Sequence, residues 1–259
     1  MTTTARRTRR SRAELRANLL DEGRQVLAEE GLQTTSSNLT FKRVFDRVDR
    51  RTGERITNAS VIRRIWDNQA EFQADVLVAV TRDQARPEAG ATVEAMTAVL
   101  ESIDLATEES RAAAVREVFR VAGNASSTEF GRSAVWPLWI SVVAMAASAP
   151  SPAQQHRFTS ALTEGFESVA AFWSGTFAAL MAMLGLRIRP GFTLDQFVQM
   201  VVALAQGCSI GQRIGGRDEV MVRPTGPDGQ DQEWSPFSVG LESLVHQFME
   251  PDTGCPPPG

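Results

Sequence analysis

Apolar residues recur at three- and four-residue steps through most of the chain, the spacing that places them on one face of an α-helix. Leu15, Leu19, Gly23, Val26 and Leu27 predict a first helix from about Ser11, with Gly31 as its stop. Polar residues from Thr34 to Asn38 form a loop, after which Phe41, Val44, Phe45 and Val48 mark a second helix. The stretch Arg50 to Arg55 has no apolar residue and contains Thr52 and Gly53, so the chain turns there. A short third helix follows, with Val61, Ile62, Ile65 and Trp66 inward and Thr57 or Asn58 as its cap. Its other face carries Ser60, Arg63 and Arg64. Trp66, one turn after Ile62, is expected to plug the core rather than to touch a ligand.

Beyond this, a helix from about Asn68 uses Phe72, Val76, Leu77 and Val80 as its stripe until Pro87 interrupts it. Further helices are expected at about 89–104, 108–124, 131–148, 153–187, 193–214 and 236–249, with no strand anywhere. The polar segment Gly215 to Glu233, with Pro224 and Pro227, reads as a long loop, and the tail TGCPPPG as unstructured. The fold class is therefore all-α.

Charge separates the ends. Residues 1–64 hold 15 Lys+Arg against 8 Asp+Glu, and the remainder 12 against 23, within a net charge of −4. A basic segment on an acidic protein concentrates positive potential where a polyanion docks. Arg6, Arg7, Arg9, Arg10 and Arg12 form a basic arm over residues 1–12. Cys208 and Cys255 are too few for a disulfide framework and no secretory signal follows the arginines, so a reducing cytoplasm is expected.

Three short helices, the third polar on its outer side and closed by an aromatic, form a helix-turn-helix pattern. The run ITNASVIRRIWDNQAEFQADVL resembles the signature of the TetR family of transcriptional regulators, and AEEGLQTT resembles the end of that family's first helix. The resemblance covers roughly residues 12 to 82. It implies a three-helix DNA-binding domain over 13–67, a regulatory ligand-binding and dimerisation domain over 68–250 and a tail over 251–259. The implied protein is a repressor that binds palindromic operator DNA as a homodimer and is released by a small apolar effector. The turn before the third helix is longer than the family's, the chain has no tyrosine, and Gln69 stands where a phosphate-binding lysine is common. Arg50, Arg51 and Arg55 are expected to supply the missing phosphate contacts.

Within this reading the DNA-binding residues are Thr40, Lys42 and Arg43, at a helix start where N–H groups attract phosphate, with Arg55, Thr57, Asn58, Ser60, Arg63 and Arg64. Guanidinium groups suit bidentate contact to guanine or a phosphate. Trp136, Trp139, Phe166, Trp173, Phe177 and Met181 are large or adaptable side chains suited to lining an apolar cavity. Phe197, Val201, Leu204 and Cys208, with Leu241, Leu244, Val245 and Phe248, form two helical faces for a four-helix dimer interface.

Two uncharged stretches, Ser133 to Gln155 and Val169 to Leu186, invite a membrane reading. Their Ala, Ser, Gly and Pro content and lack of basic flanks favour burial in protein instead. No catalytic or metal-ligand spacing occurs around His156 or His246, so neither an enzyme nor a cofactor is expected. The alternative, a helical adaptor without DNA binding, leaves the basic N-terminal segment unexplained.

Overall fold

A computed structural model of the chain describes residues 11–30, 39–53, 65–83, 89–103, 105–133, 136–148, 151–215, 220–226 and 229–252. The described helices are α1 (Arg12–Glu30), α2 (Phe41–Thr52), α3 (Gln69–Asp83), α4 (Gly90–Ser102), α5 (Glu108–Arg132), α6 (Trp136–Ala147), α7 (Pro152–Leu184), α8 (Leu194–Gly215) and α9 (Pro236–Phe248). The protein is mostly helical, as the periodicity predicts. Residues 1–10 of the expected basic arm, the expected third helix up to Arg64 with its cap, Pro87 and the tail from 253 lie outside the described residues, and Arg12, expected in the arm, begins α1.

Short strands correct the expectation of none. β1 (Leu186–Ile188) pairs antiparallel with β4 (Met249–Pro251), and β2 (Met221–Pro224) with β3 (Asp231–Trp234). The second pair occupies part of the stretch expected to be loop. Only Gln232 and Trp234 of β3 turn inward, too few for a two-residue period to register, and Pro224 sits at the strand's end, where a missing N–H is tolerated. α5 also continues past the expected end near 124, because Gly123 there serves close packing and not termination.

The chain forms two compact units: residues up to 85 with 134–165, and 86–133 with 166–259. The first has a core of Leu19, Val26 and Leu27 from α1, Phe41, Val44, Phe45 and Val48 from α2, Trp66, Phe72, Val76, Leu77 and Val80 around α3, and Val142, Phe158 and Leu162 from α6 and α7. Side chains on both sides of residue 67 thus share one core. Asp67 and Asn68 mark a helix start: Asn68 Oδ1 accepts the Glu71 N–H and Glu71 accepts the Asp67 N–H, each at 2.9 Å. Phe72 stacks on Phe41 at 5.0 Å and meets Trp66 edge-on at 4.9 Å. Gly23 permits the approach of α1 and α3, since a Cβ there would lie 2.7 Å from Val76.

The second unit packs α5 against α4 and α9, with α8 and the later half of α7. Its core joins Met96, Val118 and Phe119 to Phe177, Leu180, Phe197, Val201, Phe237, Leu241, Val245 and Phe248. Thr107 and Ser110 close a reciprocal cap on α5, and Ser235 caps α9 with Pro236 at its first turn.

Candidate nucleic-acid interface and regulatory helices

α2 begins at Thr40, whose hydroxyl accepts the Arg43 N–H at 3.3 Å. The cap leaves Lys42 exposed and Arg43 half-buried in the first turn, where the positive end of the helix adds to their charge. Gly53 ends α2 in the left-handed region (φ 65°), its N–H donating to Asp49 O at 2.7 Å. Arg55, Thr57, Asn58, Ser60, Arg63 and Arg64 lie outside the described residues. Trp66, two residues beyond Arg64, is buried as expected.

Two buried carboxylates organise this unit, and neither was singled out from the sequence. Glu22, 2 % exposed, lies between Arg47 (3.3 Å) and Arg51, whose Nε stands 2.7 Å from Oε1 in an ion pair. Arg47 also grips Glu29 with both terminal nitrogens, at 2.6 and 2.8 Å. These bonds hold the Glu29 carboxyl below its usual range and raise the Arg47 guanidinium further above its own. Arg51, expected to reach phosphate, is instead engaged in joining α2 to α1. Arg50 is exposed, with Nε donating to Asp46 O at 3.1 Å. Asp75 of α3 is the second carboxylate. It receives Arg16 at 2.6 Å, the Trp66 indole N–H at 2.7 Å, and Arg157. The available signal was position: Glu22 sits between Leu19 and Val26, and Asp75 between Phe72 and Val76, acids interrupting an apolar stripe.

The predicted cavity residues fall in both units. Trp139 packs against the first unit's core, while Phe177 is buried in the second, edge-on to Phe197 at 4.9 Å. Phe177 is one of the buried residues of that unit's core. Trp173 and Met181 are half-buried against that same core and Phe166 is exposed. Trp136 belongs to α6, and its side chain lies outside the description.

The residues of the expected dimer faces lie along the core of the second unit. Phe197, Val201, Leu241, Val245 and Phe248 are buried within the chain itself, because α8 and α9 pack against each other and against α5. Leu204, Cys208 and Leu244 are half-buried along the same core. Helical periodicity reveals an apolar face without saying whose surface covers it. Burial raises the Cys208 thiol above its usual range and disfavours the thiolate.

Within the single chain, 22 % of an apolar 18-residue stretch of α7 is buried. Phe172, Gly175, Ala179 and Met183 lie exposed along one face. Among the described residues α7 is the helix long and apolar enough to cross a membrane, by length and composition alone. His156 and His246 are exposed, and no group of three His, Cys, Asp or Glu suited to a metal occurs among the described residues.

Compared with known proteins, the chain matches no family model, no curated protein and no solved structure. The TetR resemblance accordingly rests on the residues quoted for it.

Proposed function

We propose that the chain is a DNA-binding transcriptional regulator of the TetR type, a repressor that leaves palindromic operator DNA when a small apolar molecule binds. The observation that carries this reading is the framing of residues 54–64. Before them Gly53 closes α2, and after them Trp66 is fixed in the core shared by α1, α2 and α3. Gly53 and Trp66 thus lie on either side of the stretch that bears Arg55, Thr57, Asn58, Ser60, Arg63 and Arg64, with Lys42 exposed at the start of α2. Such flanks suit a reading element, whose side chains must arrive at base edges from a fixed base. The 15-to-8 excess of cations in the first 64 residues supports the same reading.

Homodimerisation follows from the economy of reading a palindrome with two short elements. The exposed apolar faces of α7 (Phe172, Gly175, Ala179, Met183) and α8 (Met200, Ala203, Gly207) support a second copy as their partner. An apolar effector is assigned to the neighbourhood of Trp173 and Met181, half-buried residues of the second unit. Its preference for the DNA-incompetent arrangement, about 1 to 3 kcal/mol, lowers operator affinity roughly 5- to 150-fold.

Footprinting on the DNA upstream of its own gene tests the reading. Wild type should protect a twofold-symmetric site, and Arg63→Ala and Arg64→Ala should lose that protection while remaining folded. Protection unchanged in both variants would contradict the assignment of the reading residues; no protection by wild type would contradict the function.

A further inference from the structure

Asp75 has one carboxylate and three claimants from three different parts of the chain. Oδ2 accepts from Arg16 of α1 at 2.6 Å and from the indole N–H of Trp66 at 2.7 Å, while Oδ1 accepts from Arg157 of α7. The Asp75 side chain is 8 % exposed, whereas Arg16 and Arg157 are 47 and 43 % exposed, so the anion is fixed inside and both cations reach it from the surface. A buried carboxylate stripped of a partner is costly, and its remaining donors must rearrange to recover the loss. What happens to Arg157 is therefore felt by the other two bonds, one of which orients Trp66.

We propose that Asp75 is a latch in which Arg157 of α7 fixes the setting of Trp66, and that Asp75 and Arg157 are positioning residues for the segment that Trp66 closes. Arg157 belongs to the same continuous helix as Trp173 and Met181. Occupancy of the carboxylate by Arg157 thus ties the first turns of α7 to Trp66, two residues after Arg64. Neither Arg157 nor Asp75 is needed to touch DNA. Withdrawal of Arg157 leaves Oδ1 seeking a new donor and loosens the Trp66 bond on Oδ2. Where the latch affects DNA, its consequence rests on the DNA-binding reading above; the link between Arg157 and Trp66 does not.

The test labels the tryptophans of the full chain with ¹⁵N and assigns the Trp66 indole N–H with Trp66→Phe. Arg157→Met should displace the Trp66 signal and speed its solvent exchange by about 5-fold or more, with the Trp173 and Trp234 signals unmoved. Arg157→Lys, which keeps the cation, should return the signal part of the way. In an Asp75→Asn background, where the amide oxygen still accepts the indole but the charge is gone, Arg157→Met should add no further shift. A Trp66 signal coincident with wild type in Arg157→Met overturns the latch, as does an undiminished shift in the Asp75→Asn background. On upstream DNA, Arg157→Met should change affinity about 5-fold or more without changing its salt dependence, and equal affinity overturns the proposed positioning. Wild-type protein that binds no DNA overturns the functional reading, and the indole signals then judge the latch alone.

Discussion

Gly123 of α5 lies so close to Ser238 of α9 that a Cβ at position 123 would stand 2.5 Å from both Ser238 Cα and Cβ. The contact is reinforced by Asn124, whose Oδ1 accepts the Ser235 N–H at 2.7 Å and the Ser238 hydroxyl at 2.9 Å. Gly123→Ala should therefore force the helices apart and destabilise the protein by about 1–3 kcal/mol, read from the urea midpoint. Ser238→Ala should not restore stability in the double variant, because the obstructing atoms include backbone. An unchanged midpoint would mean the two helices do not approach this closely.

Phe197 distinguishes a core residue from an interface residue. With 0 % exposure and rings of Phe177 and Phe248 against it, Phe197→Ala should cost about 3–5 kcal/mol of folding stability. If it instead weakened only self-association and left a stable monomer, the helical face would belong to the dimer after all.

The exposed face of α7 is the place to disrupt the proposed self-association. Phe172→Glu and Met183→Glu should convert a dimer to a monomer by light scattering while leaving the far-ultraviolet helical signal intact. A wild-type monomer at micromolar concentration, or a dimer indifferent to both substitutions, would refute this assignment. Protein that becomes monodisperse only in detergent would point to a lipid-facing helix instead.

Acid should remove one identifiable ion pair. Arg120 holds Glu117 through two bonds, at 2.6 and 2.8 Å, and Gln232 donates a third at 3.1 Å. The Arg120 hydrogen bond lowers the Glu117 carboxyl below its usual value, against the opposing effect of burial. The sign follows: the unfolded chain takes up the proton first, so the stabilisation is complete above the unfolded value and disappears as pH falls through the lower native one. Glu117→Gln should cost up to about 1 kcal/mol at neutral pH, and the gap to wild type should close in acid. A gap that persists at low pH would assign the effect to packing.

How much of this was legible beforehand depended on whether a signal is local. The stripe Phe41, Val44, Phe45 and Val48 repeats within one helix, and the helix formed where the spacing placed it. Trp66 was expected in the core and lies there, beside Phe41 and Phe72. Partners distant in sequence were not readable: Arg157 lies 82 residues from Asp75, and no period connects them. Phe197 and Leu241 lie on apolar helical faces, as the periodicity predicts, and they are buried within the chain; a stripe does not reveal whether its cover comes from the same chain or a second copy. The strands escaped because three or four residues are too short to show alternation, and a burial pattern of one buried and one half-buried residue in β3 gives a weak signature.

The central claim is that the basic N-terminal unit binds duplex DNA through several arginines, and a salt titration tests it most directly. Fluorescence anisotropy of a duplex from the DNA upstream of the protein's own gene should show tight binding at low salt. The logarithm of the association constant should fall linearly with the logarithm of salt concentration, with a slope of about −0.9 for each phosphate neutralised. Several phosphates per dimer, and a shallower slope after removal of residues 1–10, are the predicted result. Absence of binding at low salt, or binding indifferent to salt, would contradict the account.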